Sequence, residues 1–163
     1  MTDPNTPSAN VISRVAFSYE SMMYTAEWLI MHKDDEYQNE GTWNAHIDSF
    51  LVHSRRLHDV LLDDRQWNDD LVISDLLDDP PTIKLPVTSS YSKQMNKRVL
   101  HLTTQADPEL VHWPVREIAL ELGSAMDRVI EQMDLENAPY QDRFVKARNG
   151  EPGFRKLVMW WRD

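Results

Sequence analysis

The chain has 163 residues, a hydrophobic fraction of 41% and only four glycines, which is the composition of one globular domain and not of a disordered segment. It contains no cysteine, which excludes disulfides, thiolate nucleophiles and cysteine-bound metals. With 27 acidic and 17 basic side chains the formal net charge is -10, so the field of the protein repels phosphates and disfavours broad RNA or DNA binding.

The N-terminal sequence and the hydropathy pattern indicate where in the cell the protein is expected. The first ten residues, MTDPNTPSAN, have neither the basic nor the apolar segment of a signal peptide. No run approaches the ~20 apolar residues that a membrane-spanning helix needs. We therefore expect a cytoplasmic protein without a membrane partner, folded as a single domain over residues 1–163.

Two apolar stripes run along the first predicted helix, which begins near Thr6-Pro7-Ser8. The first stripe recurs at three- and four-residue spacing and comprises Ile12, Val15, Ala16, Tyr19, Met22, Met23, Ala26, Leu29 and Ile30. The second lies nearly opposite and comprises Phe17, Ser21, Tyr24, Trp28 and Met31. A helix that is apolar on two faces has to be covered twice, so it is either enclosed by other helices or forms a homodimer seam.

The remaining pattern predicts three more long helices and one short helix. The next long helix runs from about Thr42 to Leu62, and the short one from about Asp70 to Leu77. The other two long helices begin at a cap near Thr88 and at Pro114. Residues 8–133 are thus predicted to form an antiparallel bundle. Residues 134–163 lose the helical period and contain several turn signals, which predicts an irregular C-terminal cap over the bundle.

The six histidines are candidate metal ligands. His46 and His53 share one helix stripe but lie two turns apart, ~10 Å, which is too far for one ion. A metal-binding bundle of the DinB type, which gathers three histidines from separate helices, is an alternative. We predict no metal site and no cofactor. His58, in the middle of the apolar face of the second helix, is interpreted as a core histidine with one hydrogen bond.

Nucleophilic catalysis finds little support in the sequence, which has no cysteine and no GxSxG elbow. The best remaining group is a short basic stretch. Lys97, Arg98 and His101 can share one side of a helix, with Lys93 adding charge and Asn96 a polar neighbour. A guanidinium beside an imidazole can hold a phosphate and move a proton. The alternative is a solvated face with His101 hydrogen-bonded at the helix end.

Three segments together resemble a group of small helical proteins similar to the HEPN superfamily. They are NAHIDSFLVHSRRLHDVLL in the second helix, NKRVLHLT further on, and Trp113-Pro114 at the start of the last helix. The resemblance covers roughly residues 8–133. It implies a helical bundle that is often dimeric, in a superfamily with many RNA-cleaving toxins and phage-defence effectors.

The superfamily motif is an arginine, a polar residue, four to six further residues and then a histidine, and it lies at the dimer interface. By that resemblance Arg98 and His101 are the catalytic candidates, with Lys97, Asn96 and Lys93 as binding residues. The sequence departs from the motif because only two residues separate Arg98 from His101. The leading hypothesis is therefore a non-catalytic, homodimeric interaction module with a possible link to toxin–antitoxin systems or phage defence. The alternatives are a HEPN-type ribonuclease or nucleotide-binding protein, and the metal-binding bundle.

Overall fold

The architecture in the computed structural model is helical. The structure describes residues 9–34, 39–68, 70–100, 113–133 and 144–145. Its long elements are α1 (Ala9–Met31), α2 (Glu40–Leu61), α3 (Pro86–Leu100) and α4 (Val115–Gln132). No strand occurs in these ranges, so the all-α prediction is confirmed for the part that is described. None of these helices combines the length and apolar character needed to cross a bilayer.

The start of α2 is set by a local side-chain cap. The Asn39 Oδ1 accepts hydrogen bonds from the backbone N–H groups of Gly41 and Thr42, at 2.9 and 3.3 Å. These contacts satisfy amides that have no partner inside the helix. Because the cap is Asn39, α2 begins at Glu40, two residues before the predicted start.

The start of α3 is set by another helix. Glu121 of α4 accepts hydrogen bonds from the backbone N–H groups of Val87 and Thr88, at 2.9 and 2.7 Å, and from the Thr88 hydroxyl at 2.6 Å. The predicted cap at Thr88 is therefore wrong, since its hydroxyl donates to Glu121. The helix begins instead at Pro86, because proline has no N–H to satisfy in the first turn.

The predicted short helix between α2 and α3 is reduced to one 3-10 turn, Ile73–Asp75. Side chains in this segment compete for the backbone. Asp70 accepts hydrogen bonds from the N–H groups of Gln66 and Trp67, and Asp75 accepts one from Val72. Such local bonds stabilise turns at the expense of helix. Four apolar residues nevertheless fix the connection to the core: Val72, Ile73, Leu76 and Leu77.

One core holds the four helices together. α1 and α3 each pack against α2 and α4, and α2 and α4 also contact each other. Neighbouring rings pair Phe17 with His53 and Trp28 with Trp43, so α1 and α2 run antiparallel. Phe144, in the region predicted as a C-terminal cap, is fully buried in the same core.

Candidate functional site

The second apolar stripe of α1 lies on the surface. Phe17, Tyr24 and Met31 are 52%, 38% and 68% exposed, and Trp28 between them is half-buried. Beside them α2 contributes two small side chains, Ala45 and Ser49, which line one pocket with Phe17 and Tyr24. We call these six residues the aromatic face. Of the two sequence-based alternatives, enclosure of α1 by other helices does not occur among the described ranges.

Stacked rings hold one end of the aromatic face rigid. Trp28 stacks on His46 of α2 with ring centroids 3.8 Å apart, and on His32 at 4.4 Å. The Nδ1 atoms of His32 and His46 each lie 2.8 Å from a backbone carbonyl oxygen, that of Trp28 and Thr42 respectively. A carbonyl only accepts, so each Nδ1 donates and each ring is locked by packing and by one hydrogen bond.

A shallow pocket of about 330 Å³ opens on the aromatic face between α1 and α2. It is lined by three rings, one carboxylate and four small side chains: Phe17, Tyr24, His46, Glu20, Ser21, Thr25, Ala45 and Ser49. The face therefore has both protruding aromatic side chains and a depression of similar size. Such a surface can receive an apolar side chain of a partner.

A buried histidine lies beneath the edge of this face. The His53 ring packs edge-on against Phe17 with centroids 5.4 Å apart, and the residue is only 8% exposed. Its Nδ1 is buried without a hydrogen-bond partner. Burial, which disfavours the imidazolium, and the neighbouring Arg56 charge lower the pKa of His53 from 6.5 to about 4. The ring is therefore neutral at pH 7.

Arg98, a predicted catalytic candidate, is directed towards α2. Its Nε donates to Asp48 Oδ1 at 2.9 Å and its Nη2 donates to Asn44 Oδ1 at 3.2 Å. Lys93 and Lys97 are exposed on α3, and Asn96 is half-buried. His101, the predicted catalytic partner of Arg98, lies outside the described residues.

A polar cluster that the sequence did not predict lies where the end of α2 crosses the start of α3. His58 is 6% exposed, and its Nε2 lies 3.0 Å from the Ser89 Oγ. Its Nδ1 lies 3.2 Å from Asp59 Oδ1 and 3.1 Å from Arg55 Nη1. Arg55 and Asp59 also form an ion pair at 2.9 Å.

The predicted burial of His58 is confirmed, but its ring contacts three polar side chains where one hydrogen bond was expected. Ser89 is 31 positions away in the sequence, and no local pattern joins the two. Only the i,i+4 spacing of Arg55 and Asp59 could have indicated charge beside the imidazole.

The HEPN-like resemblance rests on sequence segments alone. A bundle of four helices is shared by many unrelated proteins, so the fold does not identify a family. Among the described residues no three metal-ligating side chains come together. No family model, no curated protein and no solved structure matches this chain.

Proposed function

We propose that the protein is an interaction module that pairs with a second copy of itself through the aromatic face. The observation that carries this proposal is the exposure of Phe17, Tyr24 and Met31 along one line of α1. Large aromatic and methionine side chains are enriched at the centres of protein interfaces. Exposed patches of such residues mark association sites on otherwise water-soluble surfaces.

A second copy is the favoured partner because the face is complementary to itself. A twofold dimer requires one patch to contain both the protruding and the receiving elements. Here the rings of Phe17 and Tyr24 are exposed, and the pocket beside them is lined on α2 by Ala45 and Ser49. In the proposed dimer an exposed ring of each protomer enters the pocket of the other.

The dimensions of the face are those of a small interface. From Phe17 to Met31 it is ~21 Å long at a rise of 1.5 Å per residue, and two adjacent helices are ~20 Å wide. That area is about half of the ~800 Å² that each partner buries in an interface of standard size. The stacking of Trp28 between α1 and α2 fixes the face before binding, which reduces the entropy lost on association.

The alternatives have less support in the described residues. A ribonuclease of the predicted type needs the guanidinium of Arg98 to face its substrate, but Arg98 is bonded to Asp48 and Asn44. The HEPN-like assignment and a link to toxin–antitoxin systems or phage defence agree with a dimeric helical module. They remain part of the proposal.

The direct test is a charge placed on the aromatic face. We expect wild-type protein to have the mass of a dimer in light scattering, and Phe17→Glu to have the mass of a monomer. Phe17 is suitable because it is 52% exposed and lines the pocket of the face. A buried, unpaired carboxylate in the interface strongly opposes association.

The matched control is Trp67→Glu. Trp67 is 71% exposed on the connection between α2 and α3, and it belongs to a different surface. We expect this variant to remain dimeric. A monomeric wild type, or a Phe17→Glu variant that keeps the dimer mass, contradicts the proposal.

A further inference from the structure

Ser89, His58 and Asp59 have the arrangement of a hydroxyl nucleophile, its general base and the carboxylate that orients the base. We propose that Ser89 is an activated nucleophile that accepts acyl groups from small carboxylic esters, with His58 as general base and Asp59 as its positioning residue. This activity is separate from the proposed dimer function, since the cluster lies between α2 and α3 and not on the aromatic face.

The distances match what proton transfer requires. The Ser89 Oγ lies 3.0 Å from His58 Nε2, within the range over which a base takes a hydroxyl proton. The opposite ring nitrogen, Nδ1, lies 3.2 Å from Asp59 Oδ1. His58 is buried, whereas the Ser89 side chain is exposed to incoming substrate. These roles are recognised by geometry and not by sequence order.

The proposed mechanism uses the tautomer of His58 that carries its proton on Nδ1. That Nδ1–H donates to the Asp59 carboxylate, which only accepts, and Nε2 is left to accept from Ser89. Arg55 favours the opposite tautomer, because a guanidinium only donates and its Nη1 lies 3.1 Å from Nδ1. The ion pair with Asp59 is made by the other nitrogen of Arg55, Nη2, and it keeps the carboxylate beside the ring.

The position of Ser89 is fixed by the helix start that carries it. Glu121 holds the first turn of α3 through three hydrogen bonds to Val87 and Thr88. The neighbouring hydroxyls have other partners, since Ser90 donates to the Val87 carbonyl and Ser92 to that of Ser89. Ser89 therefore differs from the two serines nearest to it in having an imidazole at its hydroxyl.

The backbone around Ser89 restricts the substrate class. The N–H groups of Val87 and Thr88 are bound by Glu121, and that of Ser89 donates to the Leu85 carbonyl at 2.8 Å. These three amides are thus engaged and do not serve as an oxyanion hole. Loss of one such donor slows acyl transfer by ~100- to 1,000-fold. Esters with good leaving groups are therefore the expected substrates, and amides are not.

The proposed reaction is the hydrolysis of an ester through an acyl-serine. Ser89 Oγ attacks the ester carbonyl carbon while its proton passes to His58 Nε2. The bond from that carbon to the leaving oxygen then breaks, and the proton from Nε2 goes to the departing alkoxide. Water next attacks the acyl-serine, gives one proton to Nε2, and releases the carboxylic acid as that proton returns to Ser89 Oγ.

A fluorophosphonate probe tests the nucleophile directly. Its phosphorus bonds to the serine Oγ, fluoride leaves and the hydroxyl proton passes to the base. We expect mass spectrometry of the full chain to show one adduct, located on Ser89 by peptide mapping, and to show none for Ser89→Ala. Ser90→Ala is the matched control and should label as wild type does. An unlabelled Ser89, or equal labelling of Ser90, overturns the proposal.

Hydrolysis of 4-nitrophenyl acetate tests His58 and Asp59, the two proposed partners of Ser89. The rate measured with Ser89→Ala protein is the background. His58→Gln should lower kcat by about 100-fold or more, provided that its circular dichroism matches wild type. Because His58 is buried, Asp59→Asn is the second variant. It should lower kcat at least tenfold while KM stays the same, since Asp59 acts through the imidazole. An unchanged kcat in Asp59→Asn or in folded His58→Gln overturns the assignment.

Discussion

Two buried histidines on α2 differ in what surrounds their ring nitrogens. His58 contacts Ser89, Asp59 and Arg55, whereas the Nδ1 of His53 has no hydrogen-bond partner. A buried polar atom without a partner costs roughly 1–3 kcal/mol. The same site makes protonation of His53 unfavourable in the folded protein, which is why its pKa falls to about 4.

This shift links stability to pH. In the unfolded chain the imidazole of His53 returns to its ordinary pKa of 6.5, so between pH 6.5 and 4 only the unfolded state binds the proton. The free energy of unfolding therefore falls as pH is lowered through that window, and His53 contributes no pH dependence above it. Between pH 7 and pH 5 its share of the loss is about 2 kcal/mol.

The variant His53→Leu removes the titrating ring and keeps a similar volume. We expect urea denaturation at pH 7 and pH 5 to show that wild type loses about 2 kcal/mol more than this variant over the interval. The remaining histidines are common to both proteins, so their contributions cancel in the difference. Equal losses in the two proteins would falsify the lowered pKa.

At the scale of elements, the start of α3 depends on α4. The Glu121 side chain serves as the cap that the local sequence does not supply, and it ties the two helices at one point. We expect Glu121→Ala to lower the free energy of unfolding by about 2 kcal/mol, because two amides and a hydroxyl lose their acceptor. Chemical denaturation measures this loss.

The control for that prediction is Glu131→Ala on the same helix. Glu131 is exposed near the end of α4, and an acidic side chain gains nothing from the helix dipole there. Its removal should change the free energy of unfolding by no more than about 0.5 kcal/mol. If the two variants lose the same stability, the capping role of Glu121 is wrong.

At the scale of the whole molecule, net charge opposes the proposed dimer. Each copy carries a formal charge of -10, so two copies repel over long distances while the aromatic faces attract at contact. We expect salt to strengthen the dimer, because raising ionic strength from ~0.01 M to ~0.15 M shortens the screening length from ~30 Å to ~8 Å. Analytical ultracentrifugation at several salt concentrations measures the dissociation constant. A dimer weakened by salt would instead depend on ion pairs across the interface.

Much of the core could be predicted from the sequence. The inward stripe of α4 is buried as expected at Ile118, Leu122, Met126 and Val129. The stripe of α1 behaves in the same way at Tyr19 and the methionines beside it. These predictions are confirmed because the period of 3.6 residues is a property of each helix alone.

The connection between α2 and α3 and the partners of the candidate site residues were less predictable. The Asp70–Leu77 segment has apolar spacing suited to a helix, yet backbone contacts of Asp70 and Asp75 leave only a 3-10 turn. The Arg98 side chain bonds Asp48, which is 50 positions earlier in the chain. Which of two competing partners a polar group takes depends on the helices packed beside it.

The amino-acid order by itself determined that the described chain is helical and which side chains of α1, α2 and α4 face inward. Only the tertiary structure decided that the second stripe of α1 lies at the surface, and that Ser89 meets His58 across 31 positions. The physical reason is how far apart in the sequence the interacting residues lie. Burial of a stripe follows from spacing within one helix, whereas contacts between side chains of different helices arise only when the bundle fixes how those helices cross.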